Sequence, residues 1–193
     1  MANETKKFYP GAYNKSDYSY NSIRGAENPV GKGSNNTGSY ATINLKTGSR
    51  ATTHTRWPFD CSSIPVGATI DSVACNVAAL SSSTSTKYVP TRTLQLYSGT
   101  TAKGSATTIS STKRSVYTLS CGAWTRDELQ SCNLYIYAKR GTAGTSMAID
   151  IWFYGADLTV TYTYQSEKFM LKLSGAWQDI ARVFKKVNGI WVE

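Results

Sequence analysis

Residues 50–59 read RATTHTRWPF, and this stretch decides the fold class. Ala51, Thr53, Thr55, Trp57 and Phe59 fall on one face at a period of two, with Thr52, His54 and Arg56 on the other. A helix would scatter these residues around its axis, whereas a half-buried strand sorts them. The pattern continues outward. In 71–80 the inward set is Val73, Cys75, Val77 and Ala79. Leu94 and Leu96 mark a strand ending in a turn at Tyr97-Ser98-Gly99-Thr100, and Val116–Cys121, Cys132–Ala138, Met147–Tyr154 and Leu158–Tyr164 supply four more. The one helical signal is Thr125-Arg126-Asp127-Glu128-Leu129, a single turn that Thr125 would cap. Short strands separated by turn signals predict a sandwich or barrel.

Composition agrees. The 193 residues include 23 Ser, 24 Thr, 13 Tyr and 5 Trp against only 17% charged residues, a mix that suits pleated, half-buried surfaces better than helices. No apolar run approaches the roughly 20 residues of a membrane span, so no membrane partner is expected. The start, MANETKKFYPGAYN, has no apolar segment behind its lysines, and the expectation is a chain made in a cytoplasm. Cys61, Cys75, Cys121 and Cys132 form no C-x-x-C pair and are expected to be reduced thiols. Net charge is +9, with 16 basic against 9 acidic residues through Gln165 and 5 against 3 beyond it. Charge so evenly spread favours polyanions in general and predicts no specific nucleic-acid partner.

Texture divides the chain into three parts. Residues 1–39 read as a strand near Thr5–Tyr9 and a long Tyr/Asn/Gly-rich loop belonging to the body; 40–165 read as the β-sandwich. Residues 166–193 hold an internal repeat. Lys172-Leu173-Ser174-Gly175-Ala176-Trp177 returns as Lys186-Val187-Asn188-Gly189-Ile190-Trp191, with lysine, glycine and tryptophan at identical offsets. Ser-Gly and Asn-Gly between apolar residues predict two β-hairpins, with Trp177 and Trp191 in equivalent places. Lone hairpins are marginal in water, so this double hairpin reads as a docking module, with Trp177, Phe184, Ile190 and Trp191 as its candidate contacts.

Catalytic chemistry finds few candidates. His54 is the single histidine, and its neighbours on the strand suggest a cross-strand surface position rather than a general base. Twelve acids could in principle supply a glycosidase pair, but Asp127–Glu128 reads more simply as a first helical turn. Asp60 and Asp71 flank one turn, which makes them the candidate pair for a calcium-type oxygen site, yet no D-x-[DN]-x-[DN]-G loop is present. The expectation is therefore no catalytic residue, no metal site and no cofactor. Aromatic residues point elsewhere. Tyr9, Tyr13, Tyr18, Tyr20 and Tyr40 crowd the first forty residues among Asn, Ser and Lys, a candidate surface for a glycan or a protein partner.

The stretch Phe59-Asp60-Cys61-Ser62-Ser63-Ile64-Pro65-Val66-Gly67-Ala68-Thr69-Ile70-Asp71-Ser72 resembles the F-D-x-S-x-I-P-x-G-A-x-I-x-S signature of jelly-roll surface modules. With LQLYSGTTAKGSATTIS, the Trp124–Leu129 turn, FYGADLTVTYTY and the terminal K-x-NG-x-W-V-E, the chain resembles virion structural proteins of tailed phages and prophages of Gram-positive, often gut, bacteria. The resemblance runs from Phe8 to Glu193 and brings no catalytic motif. It implies an all-β jelly-roll sandwich with a small C-terminal double hairpin. It further implies a non-enzymatic protein assembled in the host cytoplasm and displayed in many copies on the virion surface, without distinguishing head, neck or tail; the expectation adopted is association with tail, neck or fibre and a role in host adsorption. Partners would be other virion proteins and further copies of this chain. The alternatives are a capsid decoration or head-fibre protein and a carbohydrate-binding module for host cell-wall polysaccharide, with a glycan-cleaving enzyme last.

Overall fold

The computed structural model describes residues 1–13, 22–25, 28–45, 52–141 and 149–165, and beyond them the backbone of four short strands. The elements in chain order are β1 (Ala2–Phe8), β2 (Ser22–Arg24), β3 (Ala41–Leu45), β4 (Thr52–Pro58), β5 (Thr69–Ser81), β6 (Thr91–Ser98), β7 (Thr101–Thr108) and β8 (Ser115–Leu119). Then follow α1 (Arg126–Leu129), β9 (Cys132–Lys139), β10 (Ile149–Tyr164), β11 (Met170–Leu173), β12 (Ala176–Asp179), β13 (Lys185–Val187) and β14 (Ile190–Val192).

All pairing is antiparallel, and two sheets pack face to face. One runs β2-β3-β10-β5-β8, with β1 also on β10; the other runs β4-β9-β6-β7. Counting β3 to β10 as strands one to eight, the orders are one-eight-three-six and two-seven-four-five. That is the jelly roll. The Phe59–Ser72 corner carries the chain from β4 in one sheet to β5 in the other. Its turn closes with the Ala68 amide donating to the Pro65 carbonyl at 3.2 Å, and Gly67 takes φ +77° at the third position. Ile64 is buried beneath it, and Ile70 packs against the core.

The inward faces follow the expected alternation. Thr55, Trp57 and Phe59 are buried while His54 is exposed, and Cys75, Val77 and Ala79 are fully buried. Removing a side chain such as the fully buried Trp57 would cost about 3–5 kcal/mol. The helical turn α1 also forms as read: Glu128 N–H donates to the Thr125 hydroxyl and the Glu128 carboxylate accepts from Thr125 N–H, a complete capping box.

Ser22–Arg24 and Ala41–Leu45 are strands that the sequence pattern does not single out, and three further features differ from expectation. Met147–Tyr154 and Leu158–Tyr164 read as two strands, but Ile149–Tyr164 is one. A bulge between Phe153 and Gly155 shifts its phase, so odd residues (Ile149, Ile151, Phe153) and then even ones (Ala156, Leu158, Val160, Tyr162) face the core. Gly155 has φ +150° there, and any Cβ would press on the carbonyls of Lys32 and Gly33. Second, Thr101–Thr108 is a strand although its sequence, TAKGSATT, has no apolar alternation. It is an outer strand of its sheet and almost wholly exposed, so burial leaves no imprint on it. Third, strand patterns flank both Trp124 and Trp152 and predict core positions for both; Trp124 is buried in the core, but Trp152 is not a core residue. It lies half-buried on the outer face of the six-stranded sheet, its ring stacked on Tyr40 at 4.7 Å and 6°, beside Leu80 and Tyr154.

Both C-terminal hairpins are present in the backbone pairing. Leu173 pairs with Ala176 and Val187 with Ile190, each leaving two residues between them. Trp177 pairs with Lys172 and Trp191 with Lys186, so the repeat is one of register as well as sequence. Among the described residues no helix is long and apolar enough to cross a membrane.

Candidate functional site

The same alternation that buries Trp57, Leu94, Leu96, Leu134 and Ile136 turns their neighbours outward on the four-stranded sheet. Strand register then lines these neighbours up. His54, Tyr137 and Thr93 form one row across β4, β9 and β6; Arg56, Tyr135 and Gln95 form the next; Asn133 and Tyr97 the third. A groove of about 390 Å³ lies over these rows, lined by His54, Thr93, Gln95, Tyr97, Tyr135 and Tyr137 among others. That volume falls within the roughly 300–1,000 Å³ of small-ligand sites.

Its rings hold one another in place. Tyr97 and Tyr135 stack with centroids 3.9 Å apart, the Arg56 guanidinium lies 4.7 Å from the Tyr135 centroid, and His54 meets Tyr137 edge-on at 4.6 Å. The Gln95 amide donates to the Gly104 carbonyl at 2.8 Å, which fixes the side chain and leaves an amide oxygen able to accept. Among the described residues the lining contains hydroxyls, an amide, an imidazole and ring faces, and no carboxylate, ammonium or guanidinium. Such a surface can bind by stacking and neutral hydrogen bonds.

The N-terminal tyrosines divide. Tyr13 packs on Trp57 with ring centroids 5.5 Å apart, and Tyr40 lies flat on Trp152, so both rings are engaged with the body. Tyr9 is 44% exposed and borders an open, shallow groove of about 470 Å³ with Gly31–Gly33 and Asn35–Thr37. Tyr18 and Tyr20 lie outside the described residues. The loop beside Tyr9 is clamped to the six-stranded sheet. Asp157 accepts from the Ser34 amide at 3.0 Å and from its hydroxyl, while Arg114 donates to the carbonyls of Asn36 and Ser34 at 2.9 and 2.5 Å.

The remaining candidates are placed as follows. Trp177, Ile190 and Trp191 sit in the hairpin strands, and Phe184 lies outside the described residues. Asp60 accepts from the Ser62 amide at 3.0 Å, and Asp71 from the hydroxyl of Thr163 at 2.7 Å and the amide of Asn3 at 3.3 Å. The two carboxylates thus serve separate local contacts. Among the described residues no three His, Cys, Asp or Glu side chains are grouped to hold a metal. All four cysteines are buried and free, with burial pushing the Cys61 thiol up to about 12 and those of Cys75 and Cys132 well above the ordinary range.

The groove was the part that sequence reading missed. Compared with protein-family models, curated proteins and solved structures, the chain matches none. The signal available was the outward set of two already recognised strands, Tyr135 and Tyr137 in NLYIYA and Gln95 and Tyr97 in TLQLY, once their register was known.

Proposed function

We propose that this chain is a non-enzymatic structural protein displayed on a tailed-phage particle, with the jelly roll as exposed body and the C-terminal hairpins as its attachment to neighbouring subunits. The observation that carries this reading is the position of the Phe59–Ser72 signature. It forms the corner between the second and third jelly-roll strands, the architecture its resemblance to surface modules implies. Jelly rolls recur in viral shell and lectin domains, where the fold serves as a rigid mount for surface contacts. A body rich in Thr and Tyr also loses little side-chain entropy when packed in copies against neighbours.

Immunogold labelling of purified particles tests the reading. Label on tail, neck or fibres supports it, label confined to the head supports the decoration-protein alternative, and unlabelled particles overturn both. A second reading, a carbohydrate-binding module, is favoured by the groove over β4, β9 and β6.

A further inference from the structure

We infer that the groove on the outer face of the four-stranded sheet binds a neutral saccharide, with Tyr97, Tyr137 and Gln95 as its principal contacts. This deepens the carbohydrate-binding reading and moves the site away from the N-terminal tyrosines. Tyr97 presents a ring whose tilt is set by its stack on Tyr135, and such a pre-set ring is a platform for the C–H face of a pyranose. Thr93, Gln95 and the hydroxyls of Tyr97 and Tyr137 line the same groove and offer both donors and acceptors, as sugar hydroxyls require. The charge pattern of the lining favours a neutral ligand. A nucleic-acid groove needs cations along the phosphate path, and an acidic glycan needs an ammonium or guanidinium in the lining. Here none of the described lining side chains is charged, and the cations of the same face, Arg56 against Tyr135 and Lys139 in the row beyond Tyr137, stand outside that lining. The fixed strands also matter: three adjacent β-strands hold the contacts, so little ordering is left for the ligand to impose.

The experiment uses the full chain on an array of neutral and acidic oligosaccharides that includes fragments of Gram-positive wall polysaccharide, followed by calorimetry with the best neutral ligand. Tyr97→Ala and Gln95→Ala are each expected to weaken binding roughly tenfold or more, and Tyr9→Ala to leave it within about twofold. Binding should change little between about 50 and 500 mM salt. Thermal melting of each variant separates loss of contacts from loss of fold, and Tyr97→Phe, which keeps the stacking ring, should retain most of the affinity. The inference is overturned if no neutral saccharide binds. It is equally overturned if binding depends on Tyr9 instead of Tyr97, or if it falls steeply with salt and is competed by an oligonucleotide. None of these outcomes touches particle labelling, so the failure of this site and the failure of virion display remain distinguishable.

Discussion

Tyr135 is held between its neighbours on two flanking strands: the Tyr97 ring from β6 lies 3.9 Å away, and the Arg56 guanidinium from β4 lies 4.7 Å away. Although it points away from the core, Tyr135 is only 7% exposed. Its ring therefore acts as a rivet across three strands on the solvent side of the sheet. Tyr135→Ala is expected to destabilise the fold by about 2–3 kcal/mol, less than a core aromatic because water can fill the gap. Tyr135→Phe, which keeps the ring and gives up a long 3.5 Å hydrogen bond to the Gly99 carbonyl, should cost under about 1 kcal/mol. Urea unfolding midpoints check both.

Arg92 is 6% exposed, and its described bonds go to carbonyls: Ile109 at 2.6 Å, Val89 at 2.8 Å and Thr84 at 2.8 Å. The planar guanidinium ties three separate points of chain at one end of the sandwich. Arg92→Ala strands those carbonyls and is expected to cost roughly 3–5 kcal/mol. Lysine keeps the charge but cannot span three acceptors in one plane, so Arg92→Lys should recover less than half of the loss. Denaturant unfolding of the two variants measures the difference.

Two carboxylates set an acid limit. Hydrogen bonding from Tyr162 holds Glu4 below its ordinary value near 4.5, with Tyr164 and Lys6 acting in the same direction. The Lys103 ammonium, 2.8 Å away, does the same for Glu128, helped by Thr125. Both groups titrate lower in the folded chain than in the unfolded one. Their contribution is complete above about pH 4.5 and is lost as pH falls through the lower folded values. The melting temperature should therefore drop as pH falls below about 4.5, and the Glu4→Gln/Glu128→Gln double variant should show a shallower drop. An unchanged slope in that variant would rule these two residues out as the cause.

How much of this was legible in advance follows burial. Strands with one apolar face, such as 52–58 and 132–139, declared themselves, because water and core sort their residues by alternation. Thr101–Thr108 carried no such record, being exposed on both faces. Ile149–Tyr164 split into two because a bulge reverses the phase in its middle, and the reason for that bulge, the approach of Lys32 and Gly33, is more than a hundred residues distant in sequence. The same holds for the groove. Tyr97, Tyr135 and His54 come from three strands, and only strand register, which no local pattern encodes, brings them together. The strand pattern around Trp152 predicts a core ring, whereas Tyr40 gives it an apolar partner outside the sandwich.

The cysteines offer a simple chemical check. Burial keeps all four thiols protonated, Cys61 at about 12, and the thiolate is the reactive form. The native chain at mildly alkaline pH should react negligibly with a thiol-specific dye and the denatured chain with four equivalents. Fast stoichiometric labelling of the native protein would contradict the buried placement.

Display on a virion is tested most directly by quantitative mass spectrometry of particles banded in a density gradient. Cells would express either the full chain or a truncation ending at residue 165. The expected result is the full chain in the particle band at many copies per particle, and the truncation left behind in the soluble fraction though still folded by circular dichroism. Recovery of the full chain only in the soluble fraction would contradict virion display, and truncated chains in the particle band would contradict attachment through the hairpins of Trp177 and Trp191.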